Sequence, residues 1–167
     1  MAKDKKEKKE KKEKKEKKEK IEVEDERPLD PTLLSPIAHP LAADKLTKKL
    51  LKTVKKASKA KHVKRGVKEV VKGLRKGEKG FVIIAGDISP IDVITHVPVL
   101  CEDNSVPYVF VTSKEELGTA GATKRPTSCV MVVLGGKKKD MSAAADYKEA
   151  YEECFNELKA LDERVQY

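Results

Sequence analysis

The chain has 167 residues, with 37 Lys and Arg against 28 Asp and Glu, for a formal charge of +9 at pH 7. That length fits one domain with a tail, and that charge balance favours a polyanionic partner. Trp is absent and aromatics are only 4%, which argues against an aromatic platform for stacking single-stranded bases.

Residues 1–20 are almost pure Lys and Glu in a KKE repeat. Nothing in them can be buried to offset the entropy of ordering a backbone. Glu stands four residues before Lys, as in Glu7 and Lys11, which supports a solvated helix only weakly. A disordered or transiently helical tail is expected, serving as a nuclear or nucleolar address, an RNA-contacting arm or a solubiliser. Residues 21–39 form a linker broken by Pro28, Pro31 and Pro36, and a folded domain is expected over 40–167.

Within that domain Asp44 is a candidate N-cap, followed by a stripe of Leu46, Leu50, Val54 and Ala57 on a helix to about residue 59. The stretch VKRGVKEVVKGLRKGEKG (63–80) places Val67, Val70, Val71 and Leu74 at helical spacing and crowds the remainder with Lys and Arg. Gly77 is its C-terminal stop. GFVIIAG (80–86), VPYVFV (106–111) and SCVMVVLG (128–135) read as buried strands. Between the first two, Pro90 suits the first turn of a helix to about Glu102, kinked at Pro98, with Ile91, Ile94, Val97 and Leu100 as core candidates. SKEELGTAG is a Ser-capped short helix ending in glycines. Residues 137–140 are a polar break, and a last helix spans about 143–166, burying Tyr147, Tyr151, Phe155 and Leu158. Buried strands alternating with helices imply a three-layer α/β/α sandwich. Sites in such sheets gather at loops after strand C-termini, here GDISP, TSKEE and the segment after residue 134.

The basic helix offers the first candidate site. Its N-terminal turn, Arg65 to Lys72, has free N–H groups and a positive dipole end suited to phosphate, and Gly66 permits close backbone approach. Lys68, Glu69 and Lys72 fall on adjacent turns. Glu69 would either accept from a guanine edge, or cap its own helix or pair with a neighbouring Lys, and spacing does not separate these. GATKRPT (121–127) is a second candidate, a small-residue loop whose Lys124 and Arg125 suit a backbone clasp or an ordinary exposed turn. GTAG (118–121) follows a helix pattern and lacks Walker spacing, so it reads as a helix stop. Catalytic groupings are not evident. His39, His62 and His96 stand in separate contexts, Asp87 and Asp92 each have plain roles near a helix start, and Cys101, Cys129 and Cys154 lack metal or disulfide spacing. Those cysteines fit a reducing compartment. The lack of an apolar run of about 18 residues fits a soluble intracellular protein with no membrane partner.

Together, VKRGVKEVVKGLRKGEKG, VIIAGDISPIDVITHVPVLCEDNSVPYVFV and SKEELGTAGATKRPTSCV resemble the kink-turn RNA-binding family of small ribonucleoprotein and ribosomal proteins. Within it they are most similar to the H/ACA small nucleolar ribonucleoprotein core subunits. The resemblance covers about residues 40–165. It implies a mixed four-stranded sheet, with a short strand near HVKRG added to the three read directly. It also implies that the helix entry and the late loop grip one RNA. Gly66, Val67, Lys68, Glu69 and Lys72 stand where the family opens its helix, and Glu69 and Lys72 would face sheared guanine–adenine pairs. Val93 and Lys114 match positions that pack on or contact RNA, and Thr123, Lys124 and Arg125 match the loop that cups a protruding nucleotide. Strict kink-turn binders carry Asn where Lys68 stands here. A flexible point charge is not a paired donor and acceptor, so weaker kink-turn preference and a larger electrostatic share are expected.

The resemblance therefore implies a nuclear and nucleolar, non-enzymatic scaffold with no cofactor and no metal. It would anchor H/ACA guide RNA beside a pseudouridine synthase catalytic subunit, a small bridging subunit and a Gly/Arg-rich subunit. A box C/D or ribosomal kink-turn binder of the same family, and a basic protein-interaction module, are the alternatives.

Overall fold

A computed structural model describes residues 34–134 and 141–162. The elements in chain order are α1 (Asp44–Lys59), β1 (Val63–Arg65), α2 (Val67–Arg75), β2 (Gly80–Ala85), a 3-10 turn (Ile91–Val93), α3 (His96–Asp103), β3 (Tyr108–Val111), α4 (Lys114–Ala120), β4 (Cys129–Val133) and α5 (Met141–Asp162). The KKE tail, the linker up to residue 33, the polar break at 137–140 and the end of the last expected helix lie outside the described residues.

The four strands form one sheet in the order β1-β4-β2-β3. β2 and β3 are parallel, whereas β4 runs antiparallel to both β1 and β2. The three apolar runs are strands because every residue of β2, β3 and β4 is buried, as continuous β-branched stretches in a doubly covered sheet require. β1 is the short strand implied by the family resemblance. Its VKR is only partly buried, so apolar patterning alone does not reveal it.

Strand alternation divides the core into two layers. Phe81, Ile83, Val109, Val130 and Val132 face α1, α4 and α5, meeting Leu50, Val54, Leu117, Tyr147 and Leu158. Val82, Ile84, Phe110 and Met131 face the other way, against Val70 and Leu74 of α2, Ile94 just after the 3-10 turn and Val97 of α3. The result is the α/β/α sandwich expected. Residues 34–42 lie along it: the Ser35 N–H donates to Gly86 O at 2.7 Å, and Ala42 N–H to Phe110 O with Phe110 N–H to Pro40 O make a parallel bridge between Leu41 and Phe110 of β3.

Two local expectations are corrected. Ala43, not Asp44, is the N-cap of α1, and Asp44 is its first helical residue. The single kinked helix over 90–102 is two pieces, a 3-10 turn and then α3. Pro98 explains the break. It has no N–H to give an earlier turn, so it sits in the first turn of a helix that starts afresh at His96, where no intrahelical acceptor is needed. Ile94 and Val97 are buried, while Ile91 and Leu100 are only partly so. At the end of α2 the Gly77 expectation holds. Its φ is +67°, its N–H donates to Leu74 O, and Glu78 N–H donates to Gly73 O, which together close a Schellman motif.

Candidate nucleic-acid interface

Strand register fixes which loops meet. Arg65 pairs with Val130, Ile84 with Cys129, and Ala85 with Val111. The C-terminal ends of β1, β2 and β3 and the N-terminal end of β4 therefore share one edge. Because β4 is antiparallel, the segment after residue 134 leaves from the opposite edge, which corrects that expectation. The loop before β4, residues 121–128, takes its place and stands beside the entry to α2.

The α2 entry is built from the sheet. Gly66 N–H donates to Cys129 O at 2.8 Å, extending the β1–β4 ladder by one residue. The chain then turns at φ 80°, ψ 157°, a conformation nearly confined to glycine, with open space where a Cβ would be. α2 begins at the next residue. Glu69, three residues after this N-cap, reaches back so that its Oε2 accepts the Arg65 N–H at 3.1 Å. Glu69 thus ties the start of α2 back to β1, one residue before the N-cap, whose own N–H is taken by Cys129 O. Oε1 keeps its acceptor capacity, with no hydrogen bond among the described residues. Lys68 and Lys72 are exposed beside it.

The facing loop is held from below. Gly118, inside α4, has the Arg125 carbonyl packed so closely that any Cβ would overlap it. GTAG is therefore more than a helix stop, because its first glycine is what lets the loop lie on α4. Thr123 N–H donates to Gly118 O, Thr127 N–H to Lys114 O, and Arg125 N–H to Thr123 Oγ1 at 3.1 Å. These bonds leave the Lys124 and Arg125 side chains projecting into solvent. Arg65 joins the two segments: its Nη1 donates to Gly121 O at 2.7 Å, and Ser58 Oγ donates to the same oxygen at 3.1 Å. An open cavity of about 280 Å³ lies between the segments, lined by Arg65, Gly66, Thr123, Pro126, Thr127 and Ser128.

The expected residues thus fall into three groups. Arg65, Gly66 and Thr123 line the cavity, with Lys124 and Arg125 in the same loop. Lys68 and Lys72 lie along α2 and border a separate groove beside His96. Val93, 41% exposed, stands on the 3-10 turn, and Lys114 is half-buried at the start of α4. Asp87 accounts for Lys114: its Oδ1 accepts the Lys114 N–H at 2.9 Å and its Oδ2 lies 3.9 Å from Nζ. Sequence reasoning placed Pro126 and Thr127 in a candidate loop but singled out neither Gly118 nor Asp87, and its loop stopped short of Ser128. The glycine inside a helical pattern was the one local signal available.

Lys68, Lys72, Lys124 and Arg125 form no ion pair among the described residues. The edge accordingly presents cations without ion-pair partners near the hollow, which suits a phosphate chain with one nucleotide turned inward. Catalytic chemistry finds no comparable arrangement among the described residues. The nearest thiol, Cys129, is fully buried, and burial pushes it up to about 12. His62 is buried with Nδ1 2.6 Å from Tyr147 Oη, a core contact.

Residues 48–142 match the Ribosomal protein L7Ae/L30e/S12e/Gadd45 family, and the chain belongs to that family. Among its relatives, the H/ACA ribonucleoprotein complex subunit nhp2 of Schizosaccharomyces pombe is 68% identical over 89 residues, 53% of this chain. The matched region spans only 58% of that yeast protein's length. The H/ACA ribonucleoprotein complex subunit 2-like protein of Arabidopsis thaliana is 51% identical over 130 residues, 77% of this chain and 83% of that one. Among solved structures, the Giardia lamblia 15.5kD RNA binding protein superposes with a TM-score of 0.67 at 34% identity, covering 77% of this chain and 99% of that chain.

Proposed function

We propose that this protein is a non-enzymatic RNA-binding scaffold subunit of an H/ACA ribonucleoprotein, acting in the nucleus and nucleolus. The observation that carries the reading is the paired edge: a glycine-opened basic helix and the 121–128 loop, bridged by Arg65, around one hollow. The relatives named for H/ACA ribonucleoprotein complexes support this branch of the family over its ribosomal and box C/D members.

In this reading the α2 entry and the loop are two jaws on guide RNA. Gly66 allows the phosphate chain to approach the backbone. Glu69 exchanges its bond to Arg65 N–H for an amino group on a guanine edge, while Lys68 and Lys72 neutralise phosphate. Thr123, Lys124 and Arg125 hold the turned-out nucleotide, and Val93 and Lys114 flank it. The synthase, bridging and Gly/Arg-rich subunits complete the particle, and the scaffold's contribution is placement of the target uridine in another subunit's active site. Positioning alone can supply several kcal/mol of a reaction barrier.

Lys68 makes the prediction specific. The isolated protein is titrated against a kink-turn hairpin and a plain irregular stem-loop at two salt concentrations. Comparable, salt-sensitive binding to both is expected. Tight binding confined to the kink-turn would favour the box C/D or ribosomal reading, and no binding to either would remove the jaws.

A further inference from the structure

A second surface lies outside the jaws. α2 and α3 pack against the same face of the sheet, and an open groove of about 470 Å³ runs between them. Its floor is apolar: Val67 and Val71 on one side and the His96 ring on the other. Val99 lies one turn beyond His96 on α3 and is 57% exposed, the most exposed of the large apolar residues described. Its rim is cationic along the whole of α2, from Lys68 and Lys72 to Arg75 and Lys76. None of these four has an ion-pair partner among the described residues, and no acidic residue lines the groove.

We propose that this groove is a docking site for a short acidic amphipathic helix of a partner protein. Its apolar side chains would seat on Val67 and Val71 and extend past His96 toward Val99, and its carboxylates would meet the cations of α2. Charge complementarity selects the acid. The two valines favour protein over nucleic acid, because β-branched side chains offer bases neither a stacking plane nor hydrogen bonds and His96 is the one ring in the groove. The shape selects a helix, since a trough between two helices accepts apolar anchors at i, i+3, i+4 and i+7. α2 is nine residues long, so the occupant needs about two to three turns. Lys68 and Lys72 stand where groove and jaw meet, whereas Arg75 and Lys76 belong to the groove alone. The inference does not rest on the RNA reading, and the two fail separately.

The test uses the full chain and a fluorescein-labelled peptide with Leu at those four spacings and Glu elsewhere, against a scrambled peptide of the same composition. At physiological salt the amphipathic peptide should bind at least about tenfold tighter than the scrambled one. Val71→Asp, and separately the double variant Arg75→Glu/Lys76→Glu, should each weaken it by about tenfold or more. Lys52→Glu/Lys55→Glu, on exposed positions of α1 across the sheet, carries the same charge change and should leave it within about twofold. Hairpin RNA affinity of the Arg75/Lys76 variant should equal that of the Lys52/Lys55 control. All these substitutions lie at exposed or half-exposed positions, and thermal melts confirm folding. Equal binding of the scrambled peptide, equal loss in the α1 control, or a selective loss of RNA affinity in the Arg75/Lys76 variant would each overturn the proposal. The last of these would assign the groove to RNA.

Discussion

The two jaws are held in place by different means. The α2 entry is an extension of the sheet: Gly66 bonds to Cys129 O before the chain turns, and the turn itself is a backbone conformation with empty space around it. The 121–128 loop has no strand to extend. It is seated by close contact on Gly118 and by hydrogen bonds to the ends of α4. One jaw therefore depends on a torsion angle and the other on the absence of a side chain. Glycine serves both, for unrelated reasons.

Substitutions can break the two halves separately. Gly118→Ala should have the largest effect on RNA affinity. Its Cβ would overlap a backbone carbonyl that can move only if the loop lifts, and overpacking of this kind costs about 1–3 kcal/mol against a helix-propensity gain of about 1. RNA affinity should fall more than stability does, and amide shifts should change over 123–127. Unchanged loop shifts would show that the seat does not position the jaw. Gly66→Ala meets no atom, so its cost is conformational only, about 1–3 kcal/mol, read as a lower midpoint in denaturant. Here the disturbance should stay at the start of α2 and leave the loop's resonances in place.

Smaller effects come from single charges. Lys72→Ala and Arg125→Ala, one on each jaw, should each reduce the log–log salt slope of RNA binding by about 0.7 to 0.9, with thermal stability unchanged. If only one does so, the RNA touches one jaw. The smallest effect is on pH dependence. Burial raises Cys129 from 9.0 to about 12 and Tyr151 from 10.0 to about 12. Both groups are neutral when protonated, so the folded state holds its protons more tightly than the unfolded chain. Their contribution is full below pH 9 and is lost as pH rises toward 12. Unfolding followed from pH 8 to 11 should show falling stability, and Cys129 should resist alkylation at pH 8 until the chain unfolds.

Local pattern was enough for most elements. GFVIIA, YVFV and CVMVV are buried on both faces, and nothing but a covered sheet accepts such runs at that length. Val70 and Leu74 mark the inner side of α2, and Gly77 its end. The basic turn after Gly66 and the cations of the late loop were legible as residue types. The 3-10 break before α3 was not, because Pro98 signals both a kink and a fresh start, and only packing of Ile94 and Val97 decides between them.

The sequence by itself determined the strands, the amphipathic helices and the positive charge, since each follows from side chains repeating within a few residues. Tertiary structure decided the rest. The Arg65 guanidinium meets Gly121 O across 56 positions of chain, and Gly118 lies under Arg125 only because α4 and the loop fold back on each other. That meeting depends on β4 running antiparallel between β1 and β2, which brings the loop before it, not the segment after it, to the edge where α2 begins. Strand order and direction are choices among whole-chain packings, and periodicity within a segment carries no record of them.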